Sequence, residues 1–532
     1  MINESIPSES KPTSSRPIGV GFVVAIGVLM VLTLTSIWVS DGNIGVALAP
    51  TLAVAVLYAI WKLPLRYTLF VLMFAALTLE NPNDRFACDR WHSPIAIVGA
   101  LMLTHINNTI GIRALSFSGM DVMLVVLILC ALARHLVNSN VDRRGRVPVP
   151  KPLVQLALLA IGGMLYVWAS GLLRGGNFSM SLWQVDRVMY IPIFFLLFQI
   201  ALRGPQDYVA LMRVVLVAAC ARALLAVYII RTVTPPPPKP GEEPGLAYAT
   251  THHDTMLFAG AFVLVLALLI ERAGGKKAKW LALAVLPILS AGIIANNRRL
   301  AWVQVAIVMG TLYFVKPWTA LKRKITMTIV KIAPLAAIYI AVGWNQKGGI
   351  WKPAAIMRSI LDSQTDDSTL WRDIENFDLV STVQQFPFLG TGYGHPYLEV
   401  IPLPAVDYPL EFYIPHNSLI GLWAYCGYFG FTALTLIFGG GVYFAMRGYY
   451  AAERPADRAA AITALGAIVI YLVQVYGDVG LGAWAGVFTV APALAIAGKI
   501  AVATGGWPAQ GVRRKQDTQP AKKVVEVSAV PT

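Results

Sequence analysis

Charge is what this sequence has least of. Only 13% of its 532 residues are Asp, Glu, Lys or Arg, while 57% are hydrophobic. Soluble domains carry about 25% charged residues, so the shortage argues against a soluble globular chain. Cysteine is also scarce. Of the four, Cys130, Cys220 and Cys426 fall in apolar runs and only Cys88 in a polar stretch, which leaves no disulfide framework and no zinc spacing. No nucleic-acid module is present. The net charge of +15 comes from basic residues in short loops between apolar runs, a topology signal rather than a basic groove. No internal repeat stands out.

What is abundant is apolar length. Stretches of about 18 residues, each long enough to cross a bilayer, recur from Ile18 to Ile500. Spans are expected near 18–39, 43–61, 65–80, 120–137, 153–173, 188–202, 208–231, 255–271, 280–296, 300–316, 327–343, 417–446, 460–476 and 479–500. The predicted fold is all-α: a polytopic transmembrane bundle of about 14 spans with a large, partly helical outer loop. Residues 1–17 form a polar, Ser- and Pro-rich N-terminus, expected to be disordered. The first span carries no small-residue cleavage site and is expected to be retained. Spans and their loops fill 18–343, the large loop 344–416, further spans 417–500, and a basic tail 501–532.

Loop charge orients the bundle. One set holds Lys62 and Arg66; Arg134, Arg143, Arg144, Arg146 and Lys151; Arg203; Arg272, Lys276, Lys277 and Lys279; Lys316, Lys322, Arg323 and Lys324; and Arg447, Arg454 and Arg458. By the positive-inside rule that set is cytoplasmic, as are both termini. The alternation closes if 94–106 stays in an outer loop; as a true span it would put the N-terminus outside. The remaining loops then face the periplasm of a bacterial inner membrane. In the large loop, apolar positions of WRDIENFDLVSTVQQ (371–385) fit a surface helix with Trp371, Ile374, Phe377 and Val380 on one face, across the bundle mouth.

Against this trend, Arg298 and Arg299 occupy an outer hairpin tip, 297–299, with no acid beside them. Snorkelling to headgroup phosphates is one account. Binding of an outer anion is the other, since a guanidinium donates two parallel hydrogen bonds to a phosphate. His416 and Asn417 stand where the large loop re-enters the membrane. As a helix start they either cap free N–H groups or place an imidazole that the helix dipole keeps neutral and basic. Arg222 lies inside a span, where an ionisable group is a functional candidate by default; Asp478 is its expected partner, and Arg187 with Asp186 is expected to form a local salt bridge. His252, His253 and Asp254 suit polar-loop roles better than a metal site. Gly390, Gly392 and Gly394 lack the Lys-Ser/Thr ending of a phosphate loop and form either a flexible turn or a substrate contact.

Taken together, RRLAW (298–302), Ser368-x-x-x-Arg372 with FPFLGTGYGHP (386–396), and His416-Asn417 followed by Gly427 and Gly430 resemble the O-antigen ligase and O-antigen polymerase superfamily over about 280–445. The resemblance implies a membrane glycosyltransferase, inverting and metal-independent, with no cofactor. Its donor would be a glycan on a polyprenyl (undecaprenyl) diphosphate, and its acceptor a saccharide or lipid-linked glycan, both presented at the periplasmic face among membrane lipids. It implies His416 as general base and Arg299 as the diphosphate-stabilising arginine. Arg298, Arg372 and Asn417 would contact substrate. The family's second arginine has no counterpart in GLAYATTHHDT (245–255), so Arg231 or Arg222 would supply that contact. Polymerisation of lipid-linked repeats, for O-antigen or exopolysaccharide, is the first reading. Ligation of the polymer to lipid A–core is the alternative, and a polysaccharide transporter or flippase is a third.

Overall fold

The computed structural model describes residues 20–39, 44–79, 94–103, 106, 117–139, 141–143, 145–232, 249–346, 349–361, 367–403, 412–478 and 484–508. It is all-helical: 81% helix, with no strand among the described residues. Two compact units divide at Pro64. In the first, α1 (Val20–Val39) and α2 (Ile44–Lys62) pack on each other, and Thr33 and Thr51 share a hydroxyl hydrogen bond of 2.7 Å.

The second unit holds α3 (Leu65–Thr78), α4 (Pro94–Leu103), α5 (Gly119–Leu136), α6 (Lys151–Leu173), α7 (Phe178–Ala201), α8 (Pro205–Thr232), α9 (Asp254–Ile270), α10 (Gly275–Asn296), α11 (Arg299–Val315) and α12 (Ala320–Gly343). It continues with α13 (Lys352–Leu361), α14 (Asp367–Gln385), α15 (Ser418–Ala451), α16 (Pro455–Gly477) and α17 (Trp484–Ala503). Among the described residues eight helices are long and apolar enough to cross a membrane, or nine if the bent α7 counts as one span. These lengths mark a membrane protein, because a 30 Å hydrocarbon core takes about 20 residues of helix. Helix α4 has ten residues, only about 15 Å, and it packs against the start of α5: a Cβ at Gly119 would lie 2.7 Å from the Leu101 carbonyl oxygen.

Helix α17 is central, with 83% of its apolar window buried, and α12 is peripheral, with none buried. Small residues explain why. Hydrophobicity cannot drive association inside lipid, so close backbone approach must do it. Along α15, Gly441 and Gly448 leave room for Leu494 and Ile500 of α17, and Gly440 for Leu156 and Leu153 of α6.

The bundle has two chemically distinct ends. One is basic and tied by short contacts: Lys316 to Glu271 at 2.6 Å, Arg134 to Asp142 at 2.5 Å, Arg66 to Asp207 at 3.3 Å, and the Lys499 ammonium to the Val147 carbonyl at 2.7 Å. The other end carries the long loop segments and the residues considered next.

Candidate functional site

Helix α10 ends at Asn296, Asn297 takes a left-handed conformation (φ 50°), and α11 begins at Arg299 with Arg298 as its N-cap. Asparagine tolerates that conformation because its short side chain bonds locally, so the expected hairpin tip is a two-residue turn. Arg298 is buried, at 9% exposure, and Arg299 is half-buried. Both residues therefore stand at the positive end of the α11 dipole, a location that favours an anion.

The start of α11 meets the end of α16. Gly477 makes room for Leu300, whose Cδ1 lies 2.8 Å from an ideal Cβ there, and Gln304 donates to Gln474 at 2.7 Å. Asp478, the C-cap of α16, pairs with the His252 imidazole. It also lies within electrostatic reach of His416. The arginine turn, His252, Asp478 and His416 thus share one end of the bundle.

His416 is held by an acid that the sequence reading missed. Glu375, buried on α14, accepts the His416 backbone N–H with both oxygens at 3.0 Å and contacts Nδ1 at 3.3 Å. An ionised carboxylate only accepts, so Nδ1 carries the hydrogen and Nε2 is the ring's basic nitrogen. The same bond raises the imidazole pKa from its ordinary value. Burial opposes the shift, the charges of Glu375 and Asp478 add to it, and Arg372 counters it. The expectation that the helix dipole governs this imidazole is corrected: Glu375, in contact, has the larger influence and acts in the opposite direction. The His416 side chain is 53% exposed, so the ring reaches outward. Asn417 caps α15, accepting the Ile420 N–H at 3.2 Å, and donates to Asn376 at 2.9 Å.

Helix α14 explains the miss. Trp371, Phe377 and Val380 do share a face, but it is the exposed one; Glu375, Asp378 and Thr382 are buried. Asp378 accepts the Val400 and Ile401 N–H groups at 3.0 Å each, and Thr382 accepts that of Leu398 at 2.9 Å. The polar stripe at 375, 378 and 382, spaced three and four apart, was the available signal. It organises the loop backbone beneath the helix.

The glycine run, expected as a flexible turn or a substrate contact, packs against α15. Helix α15 is broken at Gly427 (φ 60°, ψ −174°), and residues 387–392 enter the break. Tyr428 and Phe429 donate to the Pro387 and Phe388 carbonyls, and Thr391 and Gly392 donate to the carbonyls of Ala424 and Tyr425. Every backbone group opened by the break in these four residues is thereby paired, as non-helical backbone at membrane depth requires. Gly390 faces Gly427: a Cβ on Gly427 would lie 2.4 Å from the Gly390 nitrogen. Gln184 of α7 and Arg174 fasten the same loop, through Gly394 N–H and the Gly390 carbonyl.

The other candidate arginines are dispersed. Arg222 is buried and donates three hydrogen bonds, 2.8 to 3.1 Å, to Asp254 at the start of α9. The expected pairing with Asp478 is corrected. A buried guanidinium takes the nearest carboxylate, and Asp478 is occupied by His252. Arg231 is exposed in the last turn of α8, nine residues and about 13 Å along the helix from Arg222. Arg372 stands one helical turn before Asn376 and within electrostatic reach of His416. His252 and Asp254 engage different partners, Asp478 and Arg222. Among the described residues no three His, Cys, Asp or Glu side chains gather as a metal site. The Asp186, Arg187 and Ser368 side chains and the Pro-rich stretch at 234–244 lie outside the described residues. No protein-family model matches the chain, and no curated protein matches it.

Proposed function

We propose that the protein is a polytopic glycosyltransferase of about fourteen spans that transfers or polymerises a lipid-diphosphate-linked saccharide at its loop-bearing, outer face. The observation that carries the reading is the His416–Glu375 pair at an exposed helix start, on the same end as the arginine-tipped start of α11. A carboxylate-oriented imidazole is a general base, and fixed guanidinia stabilise a departing diphosphate.

The chemistry then balances as one displacement. Nε2 of His416 takes the proton of an acceptor hydroxyl. That oxygen attacks the anomeric carbon, the bond from this carbon to the diphosphate oxygen breaks, and the lipid diphosphate leaves with the electron pair. Attack opposite the leaving group inverts the anomeric centre. Arg299, with Arg298 beside it, neutralises the charge that develops; Arg372 and Arg231 contact donor or acceptor in this reading. Arg222, bonded to Asp254, is left out of the phosphate contact and stiffens the junction of α8 with α9. Glu375 is a positioning residue that sets the tautomer of His416.

Polymerisation remains the first reading and ligation the alternative, because the same displacement serves both. Analysis of surface glycan in a deletion strain separates them. A single repeat unit at the surface means lost polymerisation, and full-length polymer stranded on its carrier means lost ligation. Glycan of normal length and attachment refutes both.

A further inference from the structure

Between the basic end of the bundle and the Arg222–Asp254 pair, five helices fail to close on one another. α3, α8, α9, α16 and α17 surround a partly open slot of about 260 Å³. Its walls are almost wholly apolar, with Met73, Leu211, Leu264, Phe488 and Ile496 among them. Along α9 the lining runs from Met256 to Leu268, twelve residues and so about 18 Å. A small volume spread over that length is a narrow channel, one hydrocarbon chain wide.

The two ends of the slot differ. At one, Tyr208 of the first turn of α8 meets Arg454 and Asp457 at the start of α16. The Tyr208 hydroxyl is buried with no hydrogen-bond partner among the described residues. Arg454 gives its Nε to Asp457 at 2.8 Å, while 69% of its side chain stays exposed. The other end closes beneath the Arg222–Asp254 pair. Leu77 precedes Thr78, whose carbonyl receives Arg222 at 3.5 Å, and Met256 lies two residues after Asp254.

Protein interiors pack densely, and apolar hollows do not hold water. In a bilayer the available filler is hydrocarbon. Among the described lining residues the only exposed charge is cationic, at the basic end, and the guanidinium at the far end is already bonded to a carboxylate. We propose that the slot holds one acyl chain of an anionic glycerophospholipid, with its phosphate at Arg454 and an ester or phosphate oxygen accepting the Tyr208 hydroxyl. The lipid joins α3 and α8 to α16 and α17, and it is independent of the transfer reaction at the opposite end.

Gly260 lines the slot, and a Cβ there meets nothing within 4 Å. A leucine at this site therefore fills space that the chain would occupy. Its four side-chain carbons exclude the chain by occupying its volume, since an expelled chain returns to lipid or detergent rather than to water. The experiment is native mass spectrometry of the full-length protein in mild detergent. Phosphatidylglycerol and phosphatidylcholine are titrated separately, and the co-purified lipid is extracted and identified. The wild type should retain one phosphatidylglycerol. Gly260→Leu, and as a second filling variant Ala460→Leu, should lose it. Arg454→Gln should reduce the preference for phosphatidylglycerol over phosphatidylcholine about tenfold, the loss of a charge-assisted hydrogen bond. A wild type that retains no phosphatidylglycerol, filling variants that retain it unchanged, or an unchanged preference in Arg454→Gln would each overturn the proposal. So would a polyisoprenoid as the extracted lipid, which would make the slot a substrate tail site instead.

Discussion

Replacing Gly427 with alanine tests the broken helix on which the loop end is built. The residue sits at φ 60°, ψ −174°, a region that side-chain-bearing residues enter only at about 1–3 kcal/mol. The added Cβ would also lie 2.4 Å from the Gly390 and Leu389 nitrogens and from the Phe388 carbonyl carbon. Relieving that overlap without unfolding costs about another 1–3 kcal/mol. If the loop peels away instead, four backbone hydrogen bonds are lost, at about 1 kcal/mol each. Either route destabilises by about 2–6 kcal/mol. Unfolding titrations in mixed micelles, followed by tryptophan fluorescence, read this directly. Limited proteolysis reports whether 386–396 has come loose. Gly439→Ala is the matched control in the same helix, because its Cβ meets nothing within 4 Å and alanine favours a helix by about 1 kcal/mol. Gly390→Ala should cost a similar amount to Gly427→Ala, and the double variant less than the sum, since both strain one contact. A Gly427→Ala protein within about 1 kcal/mol of the wild type, with its loop equally protected, would refute the reasoning.

Three further outcomes follow from the same geometry. Arg222→Gln or Asp254→Asn alone should destabilise by about 3–5 kcal/mol, because each strands a buried charge, while replacing both with leucine should recover most of the loss; equal effects for single and double changes would exclude the pairing. In the proposed glycan transfer, the raised imidazole pKa means the basic form of His416 is lost as pH falls through that value, giving an acid limb in the rate profile. Glu375→Gln removes the cause, so the limb should move to lower pH while the plateau rate falls about tenfold or more as the base weakens; a limb that stays in place would dissociate Glu375 from the titration. A membrane-impermeant thiol reagent on intact cells should label Val380→Cys and spare Pro520→Cys, and the reverse pattern would invert the orientation.

Much of the architecture was legible because apolar length is a local property. Each of the fourteen expected spans overlaps a helix among the described residues, although only eight or nine of these are long and apolar enough to cross a membrane, and the hairpin tip at 297–299 was visible as the polar interruption between two apolar runs. What a linear pattern does not carry is which polar groups meet across the bundle. Arg222 found Asp254 rather than Asp478 because residues 32 apart in sequence were brought together by the α8–α9 packing. Glu375 lies 41 residues before His416 and was overlooked because the apolar stripe of α14 drew attention to the wrong face. The Gly390–Gly394 run reads as a turn in isolation. Its role emerges only with the helix break at Gly427, a motif glycine whose positive φ no periodicity reveals.

The decisive measurement is single-turnover transfer by purified protein in liposomes, with a lipid-diphosphate-linked oligosaccharide donor and variants matched for folding by circular dichroism. Arg299→Ala should slow transfer about 10²–10³-fold, and His416→Ala about 10²–10⁴-fold, with donor still bound in the latter. A His416→Ala protein that transfers glycan at the wild-type rate would contradict the account.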